Sequence, residues 1–551
     1  MKLFRHFASY FFISCLVFCA TVSMADAQNA RPQYNLHLKL DYAHLTYEGN
    51  LEITVPVPPG DQFNEIDFHL YANAPGVTRA DEKFPNLVIE KVLSQDDGNL
   101  TFTQEGTLLK VLLPAPKSTF AKLQIFWHGK VPTLPTPTSA LADLMPKDLG
   151  DVLGEKTQKA TYRDYGLYSF RNGILSLGTY WFPMLALRSD GKWQDEIPTG
   201  PGDLSVAAAS DYTTSIEVIN APANISIITT QAGAKTNSLN SQITAARDFP
   251  VIIGENFDAQ TREIKLGART VHVASWARAT NAAKSAEVLD IAAHALQIYS
   301  KRFGDYPYDY FTVVQGPLSS GAGGAEFSGL AIIAQALYGD IDREMASMFG
   351  SAGMGSPASV GLLMKQQLDA VKSLLETSVA HETGHQWWSI GVSSDARRDP
   401  WLDESLTNYC AMLYYKDRYG AEKYTQMVNT NLSQSYQMAR MLGFPDAKVG
   451  GATDQFDSDL QYGAVVYGKG ALYYQALNQL MGDDKFDAAL QKYFSLYHGK
   501  MASDADLIQI FKTVDPEQSG KIGNLYQHWI WQLHGDEDIG MLSISDLLGG
   551  Q

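Results

Sequence analysis

His381-Glu382-Thr383-Gly384-His385 is the stretch on which the reading of this chain turns. On a helix, residues four apart lie one turn apart on one face, so His381 and His385 can aim two imidazoles at one point. Imidazoles at that spacing can grip one metal ion, and Glu382 stands beside them as a candidate base. By itself the run says only that a metal can be held. Catalytic zinc takes three protein ligands and keeps one position open. A third ligand follows at Glu404, after eighteen intervening residues, within Trp401-Leu402-Asp403-Glu404-Ser405-Leu406-Thr407-Asn408. A bland reading of Glu404 is an acid at a helix start, favoured by the dipole. Its spacing and apolar neighbours favour ligation, with His381, His385 and Glu404 holding one zinc ion between two helices. From its helical position Glu382 reaches the water that zinc holds more readily than the ion. Zinc lowers the pKa of that water to about 7, and a carboxylate can take its proton during attack on a carbonyl. That is peptide hydrolysis without a covalent intermediate.

Around this stretch the periodicity is helical. Residues 361–378 lead into His381 as helix, and residues 405–419 form the second helix, with Leu406, Tyr409, Cys410, Leu413 and Tyr414 on one side. Residues 281–300 carry Val288, Leu289, Ala292, Leu296 and Tyr299 at helical spacing, and residues 311–314 read as a strand. From Gly468 onward the pattern is helical, including 488–497, 505–514 and 525–533. Asp515, Glu517, Ser519 and Gly520 imitate the opening of a calcium loop, but Tyr526 stands where its bidentate acid belongs, so a helix–helix turn is expected. Residues 345–360 are small, Met-rich and Gly-rich, and read as a surface insertion.

Residues 28–258 read differently. Leu36, Leu38 and Leu40 alternate with His37, Lys39 and Asp41, the period of a half-buried strand. Short runs of the same kind recur at 51–57, 66–71, 108–113, 123–127, 212–219 and 225–229, punctuated by Pro, Gly, Asn and Asp. An antiparallel sandwich or curved sheet is expected, with a long surface excursion over 131–160. The expected class is α+β multidomain: a signal peptide at 1–27, a β-rich domain at 28–258 and a mainly α catalytic domain at 259–545.

The leader rests on Lys2 and Arg5, the mostly apolar run from Phe11 to Val22, and Ala25-Asp26-Ala27 as a cleavage site. It implies export to a periplasm or the exterior, with an uncleaved anchor as the alternative. No other run is long and apolar enough to span a bilayer, so no stable membrane insertion is expected after cleavage. The 551 residues carry a net charge of −17, and loss of the leader makes it one unit more negative. An acidic chain without basic runs argues against nucleic acid as a partner. Cys15 and Cys19 leave with the leader, so Cys410 has no disulfide partner and reads as a packed apolar residue.

The chain resembles the zinc aminopeptidases of peptidase family M1, the aminopeptidase N and leukotriene hydrolase type. The resemblance lies in H-E-x-x-H-x₁₈-E, in Trp401-Leu402-Asp403-Glu404, in Gly323-Gly324-Ala325-Glu326-Phe327 at the family's exopeptidase element, and in Val466-Tyr467-Gly468-Lys469-Gly470. It is tight over residues 300–470 and weaker through Trp529–Gly535. It implies a β-rich saddle or sandwich followed by a thermolysin-like catalytic domain, one zinc ion, and peptide substrates cut at the amino end. Carried over by position, His381, His385 and Glu404 are zinc ligands and Glu382 is the general base. Glu326 holds the substrate's free α-amine, a charge-assisted bond to an ammonium, with Gly323, Gly324 and Ala325 beside it. Tyr467 donates to the developing oxyanion; Tyr462 is the near alternative.

The resemblance has departures. Ala325 and Phe327 replace the usual Met and Asn, which alters the pocket for the first side chain. Tyr180-Trp181-Phe182-Pro183-Met184-Leu185 offers no match for the glutamine that often lines the amine site. Fifty-five positions separate Glu326 from His381, more than is usual, which places an insertion around 345–365. The large helical C-terminal domain of many members has no counterpart, which implies a more open site and a weaker limit on peptide length. The rival readings are an endopeptidase or epoxide hydrolase on the same zinc site, and a catalytically silent peptide-binding relative.

Overall fold

Alternation at the start of the described chain makes a strand. Tyr34, Leu36, Leu38 and Leu40 are buried along Gln33–Asp41, while the residues between them face outward. The computed structural model describes residues 31–542, apart from 78–84, 96–97, 138, 146–164, 198–199, 342, 345–346 and 348–361. The expected leader lies outside the described residues, as do most of the expected 345–365 insertion and the second half of the 131–160 excursion.

Gln33–Asp41 is an inner strand of a six-stranded sheet, between Thr46–Pro56 and Ser210–Ile219. The pairing with Ser210–Ile219 is parallel, so the expected all-antiparallel pattern breaks at one place. A parallel neighbour needs a long crossover, and here the crossover contains a four-stranded sheet and part of a five-stranded one. Aromatic rings fill the space between the sheets. Tyr34 stacks on Tyr212 with centroids 4.7 Å apart. Trp127 and Trp181 are fully buried, and each indole N–H has a partner: Trp127 donates to the Trp181 carbonyl (2.8 Å) and Trp181 to that of Phe249 (3.1 Å). Burying a Trp removes roughly 150–250 Å² from water, worth about 4–6 kcal/mol before entropy. Gly49 allows this packing, because a Cβ there would fall inside the Trp127 indole.

The second unit is built on a five-stranded sheet ordered Phe257–Leu266, Arg269–Arg278, Tyr310–Gly316, Leu330–Ala334, Gly324–Phe327. Gly324–Phe327 is the edge strand, antiparallel to Leu330–Ala334. Helix Ala282–Phe303 packs against the sheet and against helix Leu362–Gly384, whose last turn carries His381-Glu382-Thr383-Gly384. The Tyr299 hydroxyl donates to the Ala380 carbonyl at 3.0 Å, which ties these two helices together just before the motif. Helices Glu404–Tyr419, Gly470–Met481, Asp483–Tyr497, Asp504–Val514 and Ser519–Trp531 complete the unit. Cys410 is fully buried beneath the Trp388 indole N–H (3.2 Å to Sγ), and burial pushes its thiol up, so it packs rather than reacts. Asp515 sits in a helix–helix turn, paired with Lys485 at 2.8 Å. Among the described residues no helix is long and apolar enough to cross a membrane.

Arg247 and Asp248 join the two units. The buried guanidinium of Arg247 donates to the carbonyls of Ala207 (3.0 Å), Ile390 (2.8 Å) and Lys500 (2.9 Å). Asp248 accepts the Ser328 N–H at 2.8 Å and is 7 % exposed. Burial first, then Glu326, pushes its carboxyl from 3.8 up to about 7 against the pull of the Ser328 hydrogen bonds and Arg247. The group therefore keeps its proton in the folded chain over a range where the unfolded chain has lost it. Its contribution to stability is full below pH 3.8 and is lost as pH rises through about 7, a loss of up to about 4 kcal/mol. Asp248→Asn keeps the acceptor oxygen and removes the titration. Its urea midpoint should gain on that of the wild type between pH 5 and pH 8; a constant difference would assign the pH dependence to other groups.

Candidate active site

The two histidines of the motif point one way because the helix places them there. His381 Nε2 and His385 Nε2 lie 3.0 Å apart, and Glu404 Oε2 lies 3.2 and 3.4 Å from them. Three lone pairs thus converge in a buried triangle, an arrangement that repels unless a cation sits among them. A tetrahedral ion with bonds of about 2.0–2.1 Å separates its ligand atoms by about 3.3–3.4 Å, so the triangle has the right size for zinc. Donor type fits as well: two imidazoles and one carboxylate, all buried. His385 Nδ1–H donates to the Trp388 carbonyl at 3.0 Å, which leaves Nε2 as the nitrogen offered to the ion. Glu404 opens its helix, where Asp403 Oδ1 accepts its backbone N–H at 2.8 Å. Although burial opposes it, the adjacent imidazoles of His381 and His385 hold the Glu404 carboxyl well below its ordinary range. His381 is lowered chiefly by burial, whereas at His385 the carboxylates Glu326 and Glu404 overcome burial and raise it.

All nine residues singled out in the sequence line one cleft of about 580 Å³: Gly323, Gly324, Ala325, Glu326, His381, Glu382, His385, Glu404 and Tyr467. Glu382 is 5 % exposed. Burial raises its carboxyl well above 4.5; Glu326 and Glu404 add to the rise and His385 opposes it. A carboxyl raised in this way takes up a proton more readily than a free carboxylate. Glu326 stands on the edge strand, with Oε1 3.0 Å from Ser389 Oγ and 3.8 Å from His385 Nδ1. Ala325 borders the cleft, whereas Phe327 is a core residue whose carbonyl accepts from the Gln386 amide at 3.0 Å.

The glycines next to Glu326 are explained by the helix they face. A Cβ on Gly324 would come within 2.5 Å of Glu382 Cγ and Oε1, and one on Gly323 within 2.6 Å of Ser378 Oγ. The strand can therefore lie against the motif helix only without side chains at these positions. Gly324→Ala should displace the Glu382 carboxylate rather than unfold the sheet. We expect kcat to fall by about 10²-fold, as for other ångström-scale misplacements, with the thermal midpoint nearly unchanged. A large midpoint loss with normal kcat would show that the glycine serves packing alone.

Tyr467 lies in a π-helical turn, Gly463–Lys469, and its ring stacks on His381 with centroids 5.6 Å apart. The rest of its motif holds that turn. Lys469 is buried and bonds Asp446 at 2.9 and 3.0 Å; Ser405 Oγ donates to the Val466 carbonyl at 2.6 Å; a Cβ on Gly470 would overlap Ser405 Oγ. Burial first, then Glu404, pushes the Tyr467 hydroxyl up, so it remains a proton donor. Tyr462 also lines the cleft, edge-on to Tyr467 at 5.7 Å, and would press on a Cβ at Gly202.

Asp203 is the cleft residue that sequence reasoning missed. It arrives from the first unit on a segment without helix or strand, residues 202–207, whose Ala207 carbonyl is held by Arg247. Burial, followed by Glu326, Glu404 and Asp403, pushes its carboxyl well above the ordinary range. The only local signal was Gly200-Pro201-Gly202 before it, whose glycines have φ of +117° and +94°. Sharp backbone turns of that kind mark a special path without showing where it leads.

Residues 352–529 match the model of the peptidase family M1 domain. Over that segment the chain is similar to the peptidase family M1 domain. The matched segment contains the three expected zinc ligands, Glu382 and Tyr467, while Glu326 lies upstream of it. Human aminopeptidase O is 22 % identical over 206 residues, 33 % of this chain and 25 % of that protein. Aminopeptidase N of Lactococcus lactis subsp. lactis is 26 % identical over 288 residues, 50 % of this chain and 29 % of that protein. The chain thus spans about a quarter of the length of the curated relatives it matches. An M1 zinc metallopeptidase from Deinococcus radiodurans superposes over 92 % of this chain and 95 % of its own, with a TM-score of 0.56 and 17 % identity. A mutant of that enzyme bound to a Tyr-Ser-Ala substrate gives 0.57 at 16 % identity, over 91 and 95 %. At these identities the likeness shows a shared fold, the β-sheet unit followed by the helical one.

Proposed function

We propose that this protein is a zinc aminopeptidase that removes N-terminal residues from peptides. One observation carries the amino-end reading: Glu326 Oε1 lies 3.8 Å from His385 Nδ1, so a partly buried carboxylate stands beside the metal-ligand triangle in the same cleft. An ammonium held there leaves the next carbonyl within reach of the metal site. The reading is supported by the M1 domain, by relatives that are aminopeptidases, and by the neighbouring fold's mutant bound to L-tryptophan.

His381, His385 and Glu404 would hold the zinc, which when bound supplies a Lewis acid for carbonyl and water. The protein's own groups do the rest. Glu326 pairs with the α-ammonium and sets the register at one residue. Glu382 takes the proton of the attacking water and delivers it to the leaving amine. Tyr467 donates its hydroxyl hydrogen to the oxygen that gains charge. The test is a panel of fluorogenic aminoacyl substrates, each free or N-acetylated, with and without a chelator. Hydrolysis of the free substrates alone, lost on chelation and restored by zinc, is expected. Equal cleavage of acetylated substrates would remove the exopeptidase reading, and silence across the panel would remove the enzyme.

A further inference from the structure

Ser389 has a backbone that a serine rarely adopts. Its φ is +95°, the left-handed side that favours glycine. The surrounding loop enforces this conformation. Ser389 N–H donates to the Val392 carbonyl (2.9 Å), Ile390 N–H to that of His385 (3.0 Å) and Val392 N–H to that of Trp387 (2.8 Å). Trp387 and Trp388 are buried against Phe303 and Phe494, so the loop cannot relax without opening the core. Strained residues retained in an over-determined loop cluster at functional sites. Here the strain comes with one contact into the cleft: Ser389 Oγ donates to Glu326 Oε1 at 3.0 Å. His385 Nδ1 is also near that oxygen, but its hydrogen is given to Trp388. Ser389 is therefore the hydroxyl that fixes the Glu326 rotamer, and Glu326 Oε2 has no protein hydrogen bond among the described residues.

We propose that Ser389 is a positioning residue for the substrate's amino end. It locks one oxygen of Glu326 so that the other faces the incoming ammonium, and the backbone strain is retained for this contact. The inference rests on the reading of Glu326 as the amine anchor. It also explains why the site does not use glycine at a glycine-like position. Glycine would relieve the backbone and lose the hydroxyl.

The test is a pair of variants. Ser389→Gly removes both hydroxyl and strain; Ser389→Ala removes the hydroxyl and keeps the strain. Both should raise KM for free aminoacyl substrates about tenfold, with kcat within about twofold, while the thermal midpoint of Ser389→Gly stays at or above that of the wild type. Improved stability with weakened substrate binding is a combination that a purely structural serine does not produce. In a Glu326→Gln background, Ser389→Gly should add little further loss, because the two act as one unit. A wild-type KM in Ser389→Gly, or a loss confined to a destabilised Ser389→Ala, overturns the proposal. If Glu326→Gln itself leaves the preference for free amino ends intact, the amine reading has failed instead.

Discussion

Replacing Glu382 by Gln is expected to leave zinc bound and to reduce kcat by about 10³-fold, within the usual contribution of a positioned general base. The substitution is nearly isosteric and keeps a polar head beneath Gly324, where the strand leaves room for no larger group. In the proposed site zinc would be held by His381, His385 and Glu404, and Glu382 contributes to none of the short distances among their candidate ligating atoms. The two readouts should therefore separate: metal content by atomic absorption near one per chain, turnover nearly absent. Residual turnover close to that of the wild type would move the base elsewhere. Loss of zinc would make Glu382 a structural carboxylate.

The second large effect is expected at Glu326. Glu326→Gln keeps size and hydrogen-bonding ability but removes the charge that pairs with an ammonium. A charge-assisted bond in a closed site is worth roughly 2–3 kcal/mol, so kcat/KM for free aminoacyl substrates should fall by about 10²-fold. The preference over N-acetylated peptides should shrink with it. An endopeptidase on the same zinc site would lose little, because its substrates bring no ammonium to this place. The ratio of free to acetylated cleavage is the decisive number, since it is insensitive to general damage that lowers both rates.

Much of this was legible in the linear chain. Alternating Leu36, Leu38 and Leu40 announced the β-rich first unit, and the reading of 361–378 as helix announced the helix that carries His381 and ends just before His385. The strand that pairs in parallel with Gln33–Asp41 was not legible as parallel, because alternation reports which face is buried and not which way the neighbour runs. The edge strand Gly324–Phe327 had no hydrophobic pattern of its own. Its glycines make sense only once Glu382 is seen lying against them.

The same division holds at the site. The sequence by itself determined that His381 and His385 share a helix face with Glu382 beside them, because the period of the helix is a local property of the backbone. Glu404 was legible as the start of the next helix, and its spacing marked it as a candidate ligand. Only the tertiary structure decided that Asp203 enters the cleft from the first unit, that Tyr467 rather than Tyr462 stacks on His381, and that Ser389 is bent to reach Glu326. Those contacts join segments far apart in the chain. They are set by how buried cores and the Arg247 tether bring the segments together, and no local periodicity records that.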